Sequence, residues 1–145
     1  MKKNIIAIVL IVLLVFAFGC QKKAQTAKFH IGIVTGTVSQ SEDDLRGAEA
    51  LIQLYGDADK GGIIKHITYP DNFTSELETT ISQIVGLADD PLMKAIIVNQ
   101  AVPGTTEAFR KIKEKYPDRG ILCFAGEPHE DPNVIESSAD LAVNA

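Results

Sequence analysis

FHIGIVTGTVSQSEDDLRGAE, from Phe29 to Glu49, is the stretch that decides the fold. Its first seven residues, FHIGIVT, form a short apolar run with β-branched members, the pattern of a buried strand. A polar turn follows, Gly36-Thr37-Val38-Ser39-Gln40. Ser41 is then placed to cap a helix whose first turn is acidic, Glu42-Asp43-Asp44, as the positive end of a helix favours. Leu45, Ala48, Ile52 and Tyr55 recur at helical spacing with Leu51 beside them, and Gly56 stops the run. A buried strand that passes directly into an amphipathic helix is the opening of a βα unit.

The pattern repeats toward the C-terminus. A second strand is predicted over IIKHITY (Ile63 to Tyr69), ended by Pro70-Asp71. Its helix runs from about Thr74 to Ala88, with Ser75 and Glu78 at capping-box spacing and Leu77, Ile81, Ile84, Val85 and Ala88 as the apolar stripe. KAIIVN (Lys94 to Asn99) is the third strand. The loop Gln100-Ala101-Val102-Pro103-Gly104 leads to a helix over Thr105 to Tyr116, with Phe109, Ile112 and Tyr116 on one side and lysines near its negative end. GILCFA (Gly120 to Ala125) is the fourth strand, residues 126–138 a polar loop, and Leu141-Ala142-Val143 a short fifth strand. Strand–helix–strand three times over predicts an α/β fold with a parallel sheet between helical layers. Right-handed crossovers leave few topologies, and a three-layer, doubly wound sheet of order 2-1-3-4-5 is expected.

Toward the N-terminus the chain changes character. Lys2 and Lys3 precede an uncharged apolar run, Ile5 to Phe18, shorter than the roughly 20 residues a spanning helix needs. Residues 1–19 therefore read as a signal peptide. Ala17-Phe18-Gly19-Cys20 resembles the bacterial lipobox, which implies a diacylglyceryl thioether on Cys20 and residues 20–28 as a lipidated tether. Two acyl chains hold a protein to a bilayer where one is marginal. The expected location is the extracytoplasmic face of the cell membrane, with residues 29–145 as the folded domain.

Charge and cysteine content exclude other classes. Without residues 1–19 the 14 Lys and Arg fall to 12, Lys2 and Lys3 being lost, against 19 Asp and Glu, a net charge of −7. Such a domain cannot neutralise phosphates, so nucleic acid is not an expected partner. Cys123 sits in an apolar strand and reads as a core thiol, leaving no disulfide framework and no zinc site.

In open α/β sheets a ligand binds beyond the carboxyl ends of the strands, where the strand order reverses. Here that place lies between strands one and three. The loops there offer Thr37, Ser39 and Gln40 after strand one, and Asn99 and Gln100 after strand three. These are neutral hydrogen-bonding groups suited to a small molecule bearing hydroxyls or amides. Glu127, just past strand four, is the charged candidate on the same side. Catalytic readings find no support: there is no G-x-G-x-x-G, no G-x-x-x-x-G-K-[ST] and no G-x-S-x-G. Thr37 and Asn99 stand where a receiver domain would carry acids, so no catalytic residue, metal or cofactor is assigned. An alternative is a tethered flavodoxin-like, flavin-binding redox module built on the hydroxyl-rich Thr35-Gly36-Thr37-Val38-Ser39, although Glu42-Asp43-Asp44 beside it would repel a phosphate. His30 and His66 read as satisfied or edge-exposed strand residues, and His129-Glu130-Asp131 as a solvated loop.

A lipobox, a short tether and the Phe29–Glu49 stretch together resemble the opening of type 1 periplasmic-binding-protein folds, the solute-binding components of bacterial ABC importers. DDLRGAEALIQLYG, HITYPDNFTSELE and KAIIVNQAVPGTTEAF are similar, more closely, to an uncharacterised family of bacterial lipoproteins of that fold, domain of unknown function 3798. The resemblance spans Phe29 to Ala145 and implies an N-terminal lobe with its half-site on Thr37, Ser39, Gln40, Asn99 and Gln100, near Glu127. It also implies a small polar ligand of sugar or nucleoside kind and ABC permease subunits as partners. A sensory or structural lobe contacting another membrane partner is the remaining alternative. One lobe's strands and helices exhaust the sequence, so the second lobe is expected to be missing from this chain.

Overall fold

The computed structural model describes residues 27–126. Four strands form one all-parallel sheet: β1 (His30–Thr35), β2 (Ile64–Thr68), β3 (Met93–Val98) and β4 (Leu122–Ala125), in the order β2-β1-β3-β4. Each pair is connected through a helix: α1 (Val38–Tyr55), α2 (Leu77–Leu87) and α3 (Thr105–Lys115). The order agrees with the expected sheet as far as it extends. The fifth strand expected at Leu141-Ala142-Val143 lies outside the described residues, as do Cys20, residues 1–19 and Glu127.

The handedness of the crossovers sorts the helices onto two faces. The step from β1 to β2 runs one way along the sheet, and the steps to β3 and β4 run the other. Thus α1 lies on one face, and α2 and α3 lie on the opposite one. The larger core fills the α2–α3 face. Val34, Ile96, Val98 and Cys123 of the sheet meet Ile81, Ile84 and Leu87 of α2 and Ala108, Phe109 and Ile112 of α3. Successive strand residues point to opposite faces, so Ile33 and Ile64 pack instead on Ala48 of α1, with Ile31 and Ile52 around them. Phe124, opposite Ile97 in register, is 38% exposed. The α1 face is therefore only part-covered among the described residues.

Several helix details differ from expectation for local reasons. Helix α1 begins earlier, at Val38, but breaks at Ser41, whose backbone is extended (φ −159°, ψ 84°). Ser41 thus keeps the conformation of a cap, and its hydroxyl donates to the Asp44 carboxylate at 2.5 Å. The Ser75–Glu78 capping box does not form. The Ser75 hydroxyl donates to the Asn72 carbonyl at 3.0 Å, the backbone N–H groups of Ser75 and Glu76 bond the same carbonyl, and α2 starts at Leu77. Tyr55 and Leu77, expected on buried stripes, are exposed at the ends of their helices. Cys123 is a buried free thiol whose pKa burial pushes up to about 11, as a core role requires.

The strand histidines are paired. His66 Nε2 lies 2.8 Å from the Thr35 hydroxyl, and burial lowers its pKa against an opposing pull from Glu49. His30 Nδ1 lies 2.6 Å from Asp90 Oδ2 at the amino end of the sheet. Burial alone would raise the Asp90 pKa, but the bonds from His30 and from the Leu92 N–H outweigh it and leave it lowered. A carboxylate with a depressed folded pKa stabilises the fold above its unfolded value of about 4 and loses that contribution as pH falls through the folded value. Asp90→Asn is therefore expected to cost roughly 1.5–3 kcal/mol at pH 6. It should also flatten the loss of stability below about pH 4; urea midpoints from pH 2.5 to 6 check both, and an unchanged acid limb would contradict the assignment.

Candidate functional site

The carboxyl ends of β1, β2 and β3 meet at one edge of the sheet. After β1, residues 37–40 curl into a turn in which the N–H groups of Gln40 and Ser41 bond the Thr37 carbonyl at 3.0 and 2.9 Å. The curl brings the Thr37 and Ser39 hydroxyls within 2.9 Å of each other. Both donate to one carboxylate oxygen of Asp71, from the loop after the neighbouring β2; the Ser39 bond is 2.7 Å. Gln40 Nε2 donates to the Asp71 carbonyl at 2.9 Å. The Thr37 bond first, and the Ser39 bond second, hold the Asp71 carboxyl below the usual range. No described residue bonds its other oxygen.

A second link crosses β1. Tyr69, at the end of β2, is 1% exposed, sits edge-on to Phe73 (centroids 5.4 Å apart) and donates its hydroxyl to Gln100 Oε1 at 2.9 Å. Burial, helped by the charge of Asp44, raises the pKa of this phenol. Tyr69 reaches β3 because nothing projects from Gly36 beneath it: a Cβ there would lie 2.8 Å from the Tyr69 hydroxyl and 2.8 Å from Gln40 Cβ. The three loops are thus tied side to side by Asp71 and Tyr69.

Asn99 stands apart from Gln100. It lines a separate cavity of about 270 Å³ on the α1 face, with Thr35, Asp43 and Asp44 at its polar side and Ile33, Leu51 and Ile97 among its apolar lining. The alternation of side chains along β3 explains the division, Asn99 continuing the side of Ile97. The six expected residues therefore divide: Thr37, Ser39 and Gln40 around Asp71, Gln100 on Tyr69, and Asn99 in the cavity. Glu127 is outside the described residues, although its neighbour Gly126 is held at this edge by bonds to Val98 and Ala101.

Asp71 and Tyr69 are the residues that sequence reasoning missed. The signal was Tyr-Pro-Asp closing β2, which in a 2-1-3 sheet must lie beside the loop after β1. The edge is also strongly anionic: residues 36–45, 69–77 and 99–104 contain Glu42, Asp43, Asp44, Asp71 and Glu76 and no lysine or arginine. Among the described residues no three His, Cys, Asp or Glu side chains are grouped to hold a metal ion.

A family model described as "Protein of unknown function (DUF3798)" matches residues 29–145. The chain belongs to this DUF3798 family. It is 43% identical over 118 residues to an uncharacterised protein of Treponema pallidum (strain Nichols), an alignment covering 80% of this chain and 52% of that one. A second Treponema pallidum protein is 49% identical over 61 residues, 42% of this chain and 27% of its own length. The DUF3798 chain thus spans about half the length of the first relative. Among solved structures, a Clostridium difficile 630 protein named "Putative transcriptional regulator" superposes with a TM-score of 0.63 at 32% identity, covering 77% of this chain and 32% of that one.

Proposed function

We propose that this chain is one lobe of a membrane-anchored, extracytoplasmic solute-binding lipoprotein that serves an ABC-type importer. The four-stranded order supports the finer architecture, a 2-1-3-4-5 doubly wound lobe of the type 1 periplasmic-binding-protein kind. The observation that carries the function is the union of three carboxyl-end loops through Asp71 and Tyr69. It presents hydroxyls, amides and a carboxylate on a braced edge, the chemistry that receives ligand hydroxyl and ammonium groups. Glu42 is paired with Arg46, but Asp43, Asp44, Asp71 and Glu76 have no basic partner among the described residues, and these four carboxylates disfavour phosphates and carboxylates as ligands. The ligand is accordingly a neutral polyhydroxyl compound or a cation, and the same argument weighs against a flavin phosphate. A lipid anchor at Cys20 would hold the lobe at the membrane, where permease subunits are its partners.

The name of the Clostridium difficile protein favours a second reading, a lobe that senses a ligand for regulation. The two readings share ligand binding and part at the partner. Thermal melts of this chain and of the full-length Treponema pallidum relative, against sugars, nucleosides, polyamines, sugar phosphates and dicarboxylates, test the common step. A raised Tm with a neutral or cationic compound is expected. A rise confined to the anions, or none in either protein, would overturn the reading. Co-purification with permease subunits after crosslinking distinguishes import from sensing.

A further inference from the structure

We infer that the amino-terminal edge of the sheet is the surface this domain lays against a phospholipid bilayer; the inference rests on the reading of Cys20 as the lipidated residue. Four exposed apolar side chains gather at that edge: Phe29 (42%), Leu54 (74%), Tyr55 (56%) and Leu92 (36%). Backbone bonds fix their common position. The N–H of His30, next to Phe29, bonds the Leu92 carbonyl at 2.8 Å, and the N–H of Ile31 bonds the Ile63 carbonyl at 2.8 Å. Ile63 in turn bonds the Tyr55 and Gly56 carbonyls at the end of α1.

Chain length selects the occupant. Phe29 is nine residues beyond Cys20 in sequence, and nine residues reach at most about 30 Å. The chain therefore enters the domain at this edge, close to the layer in which the acyl chains sit. Charge selects the same edge. Most of its carboxylates are met by cations or by histidine: Asp57 by Lys60, Asp59 by Lys65, Asp89 by Lys115 and Asp90 by His30, with Asp118 exposed in the turn before β4. At the opposite edge Asp43, Asp44, Asp71 and Glu76 have no basic partner among the described residues, so an anionic lipid surface repels that edge and tolerates this one. Leucine and aromatic rings on a charge-balanced rim suit the boundary between headgroups and acyl chains. The result is a domain whose ligand edge points away from the membrane.

The sequence contains no tryptophan, so single reporters are unambiguous. Tyr55→Trp and Val38→Trp, the latter 63% exposed at the opposite edge, are made in the full chain, processed in a bacterial host and reconstituted into phosphatidylglycerol–phosphatidylethanolamine vesicles with or without brominated acyl chains. Emission of Tyr55→Trp is expected to fall roughly twofold or more in brominated vesicles, as for a ring at the acyl boundary, with Val38→Trp unchanged. If Cys20 is acylated by mass and the protein sediments with vesicles, yet Tyr55→Trp is not quenched or both reporters are quenched alike, the docking inference fails and the lipoprotein reading stands. If Cys20 is unmodified and the protein stays in solution, both fail together. A concentration-dependent blue shift of Tyr55→Trp without lipid would assign the edge to a second copy of this chain and overturn the inference.

Discussion

Phe109→Ala is expected to remove a large share of the stability of the domain. The ring is 1% exposed and joins α3 to α2 and the sheet in the larger core. Deleting a fully buried phenylalanine costs about 3–5 kcal/mol, because the lost transfer energy is increased by the cavity left behind. Domains of this size have only about 5–15 kcal/mol in total. With urea slopes of about 1–3 kcal/mol per molar, the midpoint should fall by roughly 2 M. The surroundings cannot collapse cheaply, since Ile96 and Val98 are fixed by ladders on either side and Cys123 by its ladder to β3. Leu54→Ala, at a position 74% exposed, should change stability by less than about 0.5 kcal/mol. Equal effects of the two substitutions would show that α3 does not pack on the sheet as described.

The strands and helices were legible in the sequence because burial imposes periods. β1 and β3 carry continuous apolar runs, Ile31 to Val34 and Ala95 to Val98, because helices pack on the two faces of the sheet, whereas α3 shows its Phe109 and Ile112 stripe against a lysine-rich outer side. Helix starts were less legible. Short hydroxyl side chains have several carbonyls and carboxylates within reach, and spacing alone does not say which they choose. Ser75 bonds the turn carbonyl of Asn72 rather than capping α2, while Ser41 does hold a cap-like backbone, three residues after α1 has begun.

The candidate site was legible in part for a related reason. Strand order predicts which loops are neighbours, and it led to Thr37, Ser39, Gln40 and Gln100. The loop after β2 is equally close to β1, yet Asp71 reads in isolation as a turn residue after proline. Its role appears only when the turn at 37–40 aims two hydroxyls at one oxygen. Tyr69 reads as the last residue of a strand, and its reach over β1 depends on the bare backbone at Gly36. Asn99 and Gln100 were grouped by adjacency, although alternation sends neighbours at a strand end to opposite faces.

Gly36→Ala tests that arrangement without a ligand. The new Cβ would stand 2.8 Å from both the Tyr69 hydroxyl and Gln40 Cβ, and 3.2 Å from the Ser41 nitrogen. Neither neighbour yields easily: Gln40 Cβ moves only with the backbone of the turn, and the Tyr69 ring is seated edge-on to Phe73. Overpacking of this kind costs about 1–3 kcal/mol. Tyr69→Phe alone removes a donor and leaves Gln100 Oε1 without it, a loss of about 1 kcal/mol. Because that substitution also deletes one of the atoms the new Cβ meets, the two changes must interact. The double variant is expected to be more stable than the sum of the single losses by about 0.5–3 kcal/mol, the range for residues in contact. Urea unfolding of all four proteins measures the coupling. Strict additivity would mean that Tyr69 does not cross Gly36, and the loops after β1, β2 and β3 would lose the link that makes them one site.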